Sequence, residues 1–336
     1  MDLLQTRLYN KVHCATYIRR LLKAHGWDNT GPHALEAPRA RPTPIDERSI
    51  KGLYHQYPGP AEGTVEHALL ANKNGFSYRS LIGEVLYAYV GCRLDIGYGT
   101  VTLAKFNSAP QDLHYRASKG LAKYLRETED WGLMYWRPEP HLELDEVPFE
   151  CMQPDPDLPE IPPALDHLQF GMCTDAAHAN EYFQSRSTTG YAGTLAGAAV
   201  VYRCKTQPIT AQNTTESETV SANAAAKVAK YFRSVLKELG YPQPGPTPIY
   251  EDNDSTIKLV KHDRPTGRSR HIDIRYFGLQ QWQRLGDIVL KFLPGKVNPA
   301  DCLTKALGWI LFLRHAPYLM GHFGFKPSSP KPSSGS

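Results

Sequence analysis

The chain has 336 residues, of which 41% are hydrophobic, and this is enough to fill the cores of two domains of ordinary size. A formal net charge of +4 favours an anionic partner only mildly and selects no class of ligand by itself. The six cysteines lack the paired spacing of a zinc site, and no run approaches ~20 uninterrupted apolar residues. The composition therefore excludes a cysteine-ligated zinc domain and predicts an intracellular protein without a membrane-spanning helix.

The first 140 residues are predicted to form a small, mainly helical domain. Apolar residues recur at helical spacing over 2–26, which predicts one or two helices. Residues 29–63 are rich in proline, glycine and charge, and they indicate an extended connector. Helical spacing returns as two segments over 78–106 and as one segment over 114–127.

Residues 141–167 are predicted to be a linker between two units. From 139 to 167 the sequence contains nine acids and seven prolines, and it contains no lysine or arginine. Few backbone donors and mutual charge repulsion favour an exposed, extended segment. Residues 168–325 are then expected to behave as a separate domain, and the low-complexity tail 326–336 is expected to be disordered.

The second unit is predicted to be an α/β domain. Its strands are predicted at 168–174, 189–195, 198–204, 247–251 and 287–293. Its helices are predicted at 215–239, 253–261, 269–285 and from Pro299 onward. Three strands and a helix, followed by alternating strands and helices, give a mixed five-stranded sheet flanked by helices.

Four carboxylates stand at the ends of these predicted elements rather than along exposed helix faces. Asp175 closes the first strand, and Glu218 lies in the first turns of the long helix. Asp252 ends the fourth strand, and Asp301 opens the last helix. If these ends meet at one edge of the sheet, the like charges require divalent cations between them. Mg²⁺ prefers such oxygen ligands, and a pair of ions can promote phosphodiester hydrolysis.

Each acid also has an ordinary structural interpretation when it is taken alone. Asp252 and Asp301 suit helix N-caps, and Glu218 suits a first helical turn, where an acid complements the helix dipole. Their joint occurrence in this fold order is what favours a metal site. Glu216 stands two residues before Glu218, so the residues alone leave the choice between these two glutamates open.

Short motifs occur in both halves of the chain in the order of a known family. In the second unit they are C-T-D-A at 173–176, R-S-T-T-G-Y at 186–191, Q-P and T-E-S-E within 207–218, I-Y-E-D-N at 249–253, S-R-H-I-D-I-R-Y at 269–276 and N-P-A-D-C-L-T-K at 298–305. The upstream stretches are 78–83, 92–98, 114–117 and 123–133. The second unit resembles the ribonuclease H domain of copia-type (Pseudoviridae) retrotransposon polyproteins. The upstream half resembles the thumb and connection region of their reverse transcriptases.

This resemblance implies a fold, a reaction and a set of ligands. The fold is ribonuclease H-like, and the reaction is endonucleolytic hydrolysis of RNA in RNA·DNA hybrids, which leaves 5′-phosphate and 3′-hydroxyl ends. Two Mg²⁺ ions, with Mn²⁺ as an alternative, would be bound by Asp175, Glu218, Asp252 and Asp301. Glu218 matches the family position better than Glu216, and Asp175 and Asp252 would contact both ions.

The resemblance also implies partners and a cellular setting. The partners are the hybrid and the polymerase portion of the same polyprotein, and the setting is the cytoplasm, a virus-like particle or the nucleus. A Y-x-D-D motif does not occur, so this chain alone is not expected to polymerise DNA.

Contacts to the nucleic acid are predicted from basic and polar residues. Residues 261–296 contain eight basic side chains against three acids, which favours phosphate contacts, although a solvated helix face would look the same. The substrate-binding candidates are Asn213, Thr214, Thr215, Asn253, Arg268, Arg270 and His271. His178 and His271 are secondary candidates for proton transfer.

Two other functions are compatible with parts of this pattern. The first is an inactive or domesticated copy that binds nucleic acid or a polymerase without catalysis, because His178, Tyr202 and Thr219 depart from the family's usual residues. The second is a DNA-cutting transposase or integrase nuclease on a similar fold. The position of the glutamate as second acid, on the long helix, argues against this second alternative.

Overall fold

Two β-sheets organise the part of the chain that the computed structural model describes, which comprises residues 1–28, 43–137, 168–261 and 273–322. The strands are β1 (Asp2–Gln5), β2 (Tyr9–His13), β3 (Gly132–Trp136), β4 (Gly171–Glu181), β5 (Arg186–Leu195), β6 (Ala198–Thr206), β7 (Thr247–Glu251) and β8 (Ile288–Phe292). The helices are α1 (Ala15–Ala24), α2 (Ile50–His55), α3 (Val65–Asn74), α4 (Tyr78–Gly91), α5 (Gly97–Ala104), α6 (Asp112–Glu127), α7 (Thr214–Glu238), α8 (Asp254–Lys261), α9 (Asp273–Arg284) and α10 (Trp309–Leu319).

The larger sheet has five strands in the order β6-β5-β4-β7-β8. Strands β4, β5 and β6 are antiparallel neighbours, whereas β4–β7 and β7–β8 are parallel pairs. Helix α7 packs against β4, β5 and β7, and α8 and α9 pack beside it. This arrangement confirms the predicted α/β fold, a mixed five-stranded sheet flanked by helices.

The two faces of this sheet enter two different hydrophobic cores. Met172 and Ile249 pack in one cluster with the alanines of α7, such as Ala222. Their chain neighbours Cys173 and Tyr250 pack in the other cluster. This is the alternation that a pleated strand imposes on successive side chains. The sheet is therefore covered on both faces.

The upstream part covers the second of these faces. The core cluster that contains Cys173 also contains side chains of α4, α5 and α6. Tyr202 Oη on β6 donates to the carbonyl of Tyr89 at 2.7 Å, and the backbone N–H of Cys204 donates to Tyr89 Oη at 2.8 Å. Trp136 Nε1 on β3 donates to the carbonyl of Gly321 at 2.8 Å. The second unit is therefore not the independent body that the sequence predicts, since part of its core is supplied from upstream.

The helical prediction for residues 2–26 is wrong in its first half. Residues 2–5 and 9–13 form strands β1 and β2, and β2 pairs with β3 in an antiparallel three-stranded sheet. Only α1 is helical there, with Ile18 and Leu22 buried. The partner strand β3 lies more than 100 residues away in the sequence, and local spacing does not reveal such a partner.

The predicted extended connector is also wrong where the structure describes it. Residues 43–63 include a 3₁₀ turn and helix α2, and Leu53 of α2 is fully buried. The carbonyl of Leu53 lies 2.9 Å from the ring Nε2 of the buried His114. Tertiary contacts thus order a segment whose composition favours a loop. Residues 29–42, the predicted linker 141–167 and the predicted tail 326–336 lie outside the described residues.

Two boundaries in the second unit also differ from the prediction. Strand β4 continues to Glu181 instead of closing at Asp175, because it keeps its pairing with β5 after its pairing with β7 ends. The last helix is split into a 3₁₀ helix at Pro299–Leu303 and α10. None of the helices described is both long and apolar enough to cross a membrane.

Candidate metal centre

Asp175 is held at the point where β4 loses one of its two neighbours. The parallel pairing with β7 is recorded at Met172 and Cys173, whereas the antiparallel pairing with β5 continues opposite Asp175 at Gly190. The Asp175 side chain is buried, with 1% of its surface exposed. A carboxylate is thus placed beside the end of β7, in the interior of the sheet.

The other acids are brought to this point from three directions. Asp252 directly follows β7, and Glu218 lies in the second turn of α7. Asp301 lies in the 3₁₀ helix that Asn298 caps through a bond from the Ala300 N–H. The Asn298 side chain also donates to the carbonyl of Thr174 at 2.9 Å, which ties this helix to β4.

The carboxylates form two overlapping groups. Ligand atoms of Asp175, Asp252 and Asp301 all lie within 4.8 Å of one another, and so do those of Glu218, Glu251 and Asp252. Asp252 belongs to both groups. All four acids chosen from the sequence therefore lie in one connected cluster, in which Asp252 is the shared member and Asp175 belongs to the Asp301 side only.

The structure distinguishes the two glutamates of α7. Glu216 Oε2 accepts a hydrogen bond from the backbone N–H of Gln212 at 2.7 Å, at the start of the helix. Glu218 instead lies in the acid cluster, beside Glu251 and Asp252. Residues two apart on an α-helix point in nearly opposite directions, so only one of the pair can face the cluster. The geometry favours Glu218.

Glu251 is a member of the cluster that the sequence interpretation missed. It is the last residue of β7, it is fully buried, and its Oε1 accepts from the backbone N–H of Asn253 at 3.2 Å. Glu251 Oε2 and Glu218 Oε2 are both buried, and neither has a hydrogen-bond partner within the part of the chain that the structure describes. The signal in the sequence was a charged residue in an otherwise apolar strand, directly before a chosen acid.

Burial and mutual repulsion make these acids hard to ionise. Burial, followed by the charges of neighbouring carboxylates, raises the pKa values of Glu218, Glu251 and Asp252. Burial and the Asp175 carboxylate raise the pKa of Asp301 to about 7. A cation bound between them would remove the repulsion.

Two residues that follow Asp301 engage the same carboxylates. Thr304 Oγ1 donates to Asp175 Oδ2 and is fully buried. Lys305 Nζ lies 2.8 Å from Asp301 Oδ1 and 3.3 Å from Asp175 Oδ1. Although burial alone would lower the pKa of Lys305, the charges of Asp175 and Asp301 raise it. The L-T-K end of the last motif thus orders the site, a role that was not assigned from the sequence.

The donor set fits a hard divalent cation. All the clustered side chains offer carboxylate oxygens, which Mg²⁺ and Mn²⁺ prefer over nitrogen or sulfur. Two buried carboxylate oxygens, those of Glu218 and Glu251, have no hydrogen-bond partner in the described ranges, and such atoms are costly in a protein interior unless a ligand compensates them. The residues present therefore fit the predicted metal.

The substrate-binding and proton-transfer candidates chosen from the sequence lie outside the two carboxylate groups where the structure describes them. Asn213 caps α7 by accepting from Glu216 N–H at 2.9 Å, and Asn253 accepts from Thr256 N–H at 3.1 Å. Thr214 is exposed and Thr215 is half-buried in the first turn of α7. His178 contacts Ser187 at 3.5 Å, and neither acid group found among the described residues includes it. Arg268, Arg270 and His271 lie outside the described residues, as does Arg264 of the basic segment.

The raised pKa of Asp301 predicts that the metal-free protein loses folding stability as the pH rises. Its pKa of about 7 in the folded protein lies above the ordinary value of 3.8 for an aspartate, so the stability that Asp301 contributes is complete below pH ~4 and is lost as pH rises through ~7. In EDTA, Asp301→Asn should therefore gain melting temperature relative to wild type as pH is raised from 4 to 8. Thermal unfolding of both proteins at each pH measures this difference.

Mg²⁺ supplies the control for this comparison. At pH 8 the ion should raise the melting temperature of the wild type more than that of Asp301→Asn, because it binds the ionised carboxylates. If the difference in melting temperature between the two proteins in EDTA does not change with pH, ionisation of Asp301 does not destabilise the metal-free protein.

The chain has relatives among transposon polyproteins, although no protein-family model matches it. The Pol polyprotein of transposon TNT 1-94 from Nicotiana tabacum is 28% identical over 230 residues, which are 68% of this chain and 15% of that protein. The Pol polyprotein of transposon RE2 from Arabidopsis thaliana is 24% identical over 235 residues, 70% of this chain and 14% of that protein. The chain is homologous to copia-type retrotransposon Pol polyproteins. It spans about one seventh of the length of these Pol relatives.

Other similarities are more distant or shorter. Secreted RxLR effector protein 161 of Plasmopara viticola is 26% identical over 155 residues, 46% of this chain and 90% of that protein. A crystal structure of LC11-RNase H1 with an RNA/DNA hybrid is 12% identical with a TM-score of 0.32, and it covers 40% of this Pol-related chain and 94% of its own. A structure of a foamy viral protease-reverse transcriptase in complex with an RNA/DNA hybrid is 15% identical with a TM-score of 0.30. The match covers 66% of this chain and 31% of the viral chain.

Proposed function

We propose that this chain is a divalent-metal-dependent ribonuclease H that cuts the RNA strand of RNA·DNA hybrids. The observation that carries the proposal is the pair of overlapping carboxylate groups joined by Asp252. The ribonuclease H-type fold and the homology to Pol polyproteins support a nuclease of this kind. We assign Asp175, Glu218, Asp252 and Asp301 as metal ligands, with Mg²⁺ as the ion and Mn²⁺ as an alternative.

Each residue of the centre has a defined task in this proposal. Bound divalent ions would supply the charge that activates water and stabilises the leaving oxygen of the phosphodiester. Asp252 would contribute a ligand to both parts of the centre, with Asp175 and Asp301 on one side and Glu218 on the other. Thr304 fixes the orientation of Asp175 through its hydrogen bond. The burial of Asp175 and Glu218 keeps these charges away from bulk water, where they would be screened.

We further propose that the upstream part is a thumb and connection remnant with a structural task in the nuclease. We place this part at residues 1–140, the linker at 141–167 and the nuclease domain at 168–325. Side chains of α4, α5 and α6 complete the core beneath the sheet that carries Asp175. The polymerase portion of the same polyprotein is its proposed protein partner, and the hybrid is its proposed nucleic acid.

The proposal is tested by incubating the purified full chain with an end-labelled RNA·DNA hybrid and Mg²⁺. We expect internal cuts in the RNA strand, no cutting of single-stranded RNA or duplex DNA of the same sequence, and loss of all cutting in EDTA. Absence of cutting with both Mg²⁺ and Mn²⁺ would favour the inactive, binding-only copy. Cutting of duplex DNA would favour the transposase-type nuclease.

A further inference from the structure

The Lys305 side chain already places a positive charge inside the candidate metal centre. Its ammonium lies 2.8 Å from Asp301 Oδ1 and 3.3 Å from Asp175 Oδ1. These two aspartates, together with Asp252, make up one of the two carboxylate groups. The lysine therefore lies where a cation between Asp175 and Asp301 would have to make its contacts.

We propose that the Lys305 ammonium is the internal counter-ion of the metal-free centre, and that a divalent ion displaces it on binding. Lys305 would then act as a positioning residue that sets the metal affinity of the centre. This inference rests on the proposed function, because it requires that the carboxylates bind a divalent ion.

The contacts of Asp175 show why the lysine and a metal compete. Asp175 Oδ2 accepts from the buried Thr304 hydroxyl, and Asp175 Oδ1 is the atom that faces Lys305. A metal on the Asp301 side needs carboxylate oxygens of both aspartates at ligand distance. On Asp175, the oxygen that Thr304 does not hold is the one that the ammonium contacts, and the ammonium also contacts Oδ1 of Asp301.

Lys305 can leave the centre at a low structural cost. Its side chain is 40% exposed, in contrast to Asp175 at 1% and Asp301 at 16%. A lysine ammonium is a compact charge on a flexible four-carbon stem, so it can turn toward solvent while the backbone stays in place. Thr304, which is fully buried, has no such freedom.

Among the described residues, no lysine or arginine forms an ion pair with the second carboxylate group, whereas Lys305 contacts two aspartates of the first. Glu218 Oε2 and Glu251 Oε2 have no hydrogen-bond partner among the described residues. The competition is therefore confined to the side of the centre that contains Asp175 and Asp301. This asymmetry predicts that removal of the lysine charge affects one metal position more than the other.

Removal of the charge should change two measurable quantities in opposite directions. Without metal, Lys305→Met loses the attraction that holds two buried aspartates together, so its melting temperature in EDTA should fall. With metal, the same change removes a competing cation, so Mg²⁺ should bind roughly tenfold more tightly. A lysine that served only packing would weaken both the fold and metal binding when it is replaced.

The chain offers a matched control in Lys258. Lys258 pairs with Asp254 at the same i,i+4 spacing as Lys305 with Asp301, but Asp254 belongs to neither carboxylate group. Isothermal titration with Mg²⁺ and thermal unfolding in EDTA would compare wild type, Lys305→Met and Lys258→Met. We expect tighter Mg²⁺ binding for Lys305→Met only. Lys305→Arg, which keeps the charge, should stay near the wild type.

The outcomes separate this inference from the proposed function. If wild type binds Mg²⁺ and Lys305→Met binds it equally or more weakly, the counter-ion role of Lys305 is wrong, but the proposed metal site is retained. No Mg²⁺ binding by any of the proteins overturns both. If Lys305→Met does not fold in EDTA, Lys305→Gln removes the charge while keeping a hydrogen-bond donor, and the same tighter binding is expected of it.

Discussion

Replacement of Asp175 by asparagine is expected to lower the rate of hybrid cleavage at least ~100-fold while the protein stays folded. Asn keeps the shape of the side chain and can still accept from the Thr304 hydroxyl, but it removes the charge that a divalent ion needs. It also removes one of the like charges that raise the pKa values of Asp252 and Asp301. Single-turnover kinetics measure the loss of cleavage, and circular dichroism spectra check that the protein stays folded.

The control for this experiment is Asp254→Asn. Asp254 stands two residues after Asp252, but its exposed carboxylate pairs with Lys258. We expect wild-type cleavage from this variant. If Asp175→Asn retained activity comparable to that of Asp254→Asn, the assigned centre would be wrong.

Replacement of Trp136 by alanine is expected to destabilise the whole described fold by about 3–5 kcal/mol. Trp136 is 2% exposed, its ring lies 5.4 Å from that of Tyr9, and its indole N–H donates to Gly321. The backbone N–H of Trp136 also donates to the carbonyl of Ala196, which lies in the β5–β6 turn. Trp136 therefore joins the small sheet to the part of the chain that carries the five-stranded sheet. Urea unfolding followed by circular dichroism measures the loss.

The shape of this unfolding transition is as informative as its midpoint. Because both parts share a core, Trp136→Ala should shift one cooperative transition. Trp282→Ala is the matched control, since Trp282 is half-buried on α9 beside the five-stranded sheet, and we expect a smaller loss. Two separate transitions, with the transition of the five-stranded sheet unchanged by Trp136→Ala, would show that the two parts fold independently.

The sequence revealed the features that depend on local chemistry. The long helix α7 was predicted because Val220, Val228 and their neighbours repeat at helical spacing and Gly240 follows the last turn. Asp252 and Asp301 were found because they stand at the ends of predicted elements. These features require only the residues beside them in the chain.

Features that depend on distant partners were missed. Strand β2 was mistaken for helix because its partner β3 is contributed from more than 100 residues away, and β1 is a strand through its pairing with β2. Leu53 is ordered by a contact with His114 that composition cannot reveal. The shared core was missed because the acidic, proline-rich linker suggested two separate bodies.

In the candidate site too, the residues that were missed or left ambiguous depend on contacts between distant segments. Glu218 could be distinguished from Glu216 only once the direction of each side chain was known. Glu251 was overlooked because an acid inside a strand is ordinarily placed on an exposed face, whereas here it is fully buried against other acids. The Lys305 contacts require that the end of the chain returns to β4, which no spacing rule indicates.

We propose that carboxylates from four separate segments bind divalent metal in one centre. A crystal of the full chain soaked in Mn²⁺, with anomalous density used to locate the ions, would test this binding. We predict density in contact with Asp252, shared between the Asp175–Asp301 side and the Glu218 side. Mn²⁺ bound only elsewhere, or an acid cluster that stays free of metal at saturating Mn²⁺, would contradict the claim.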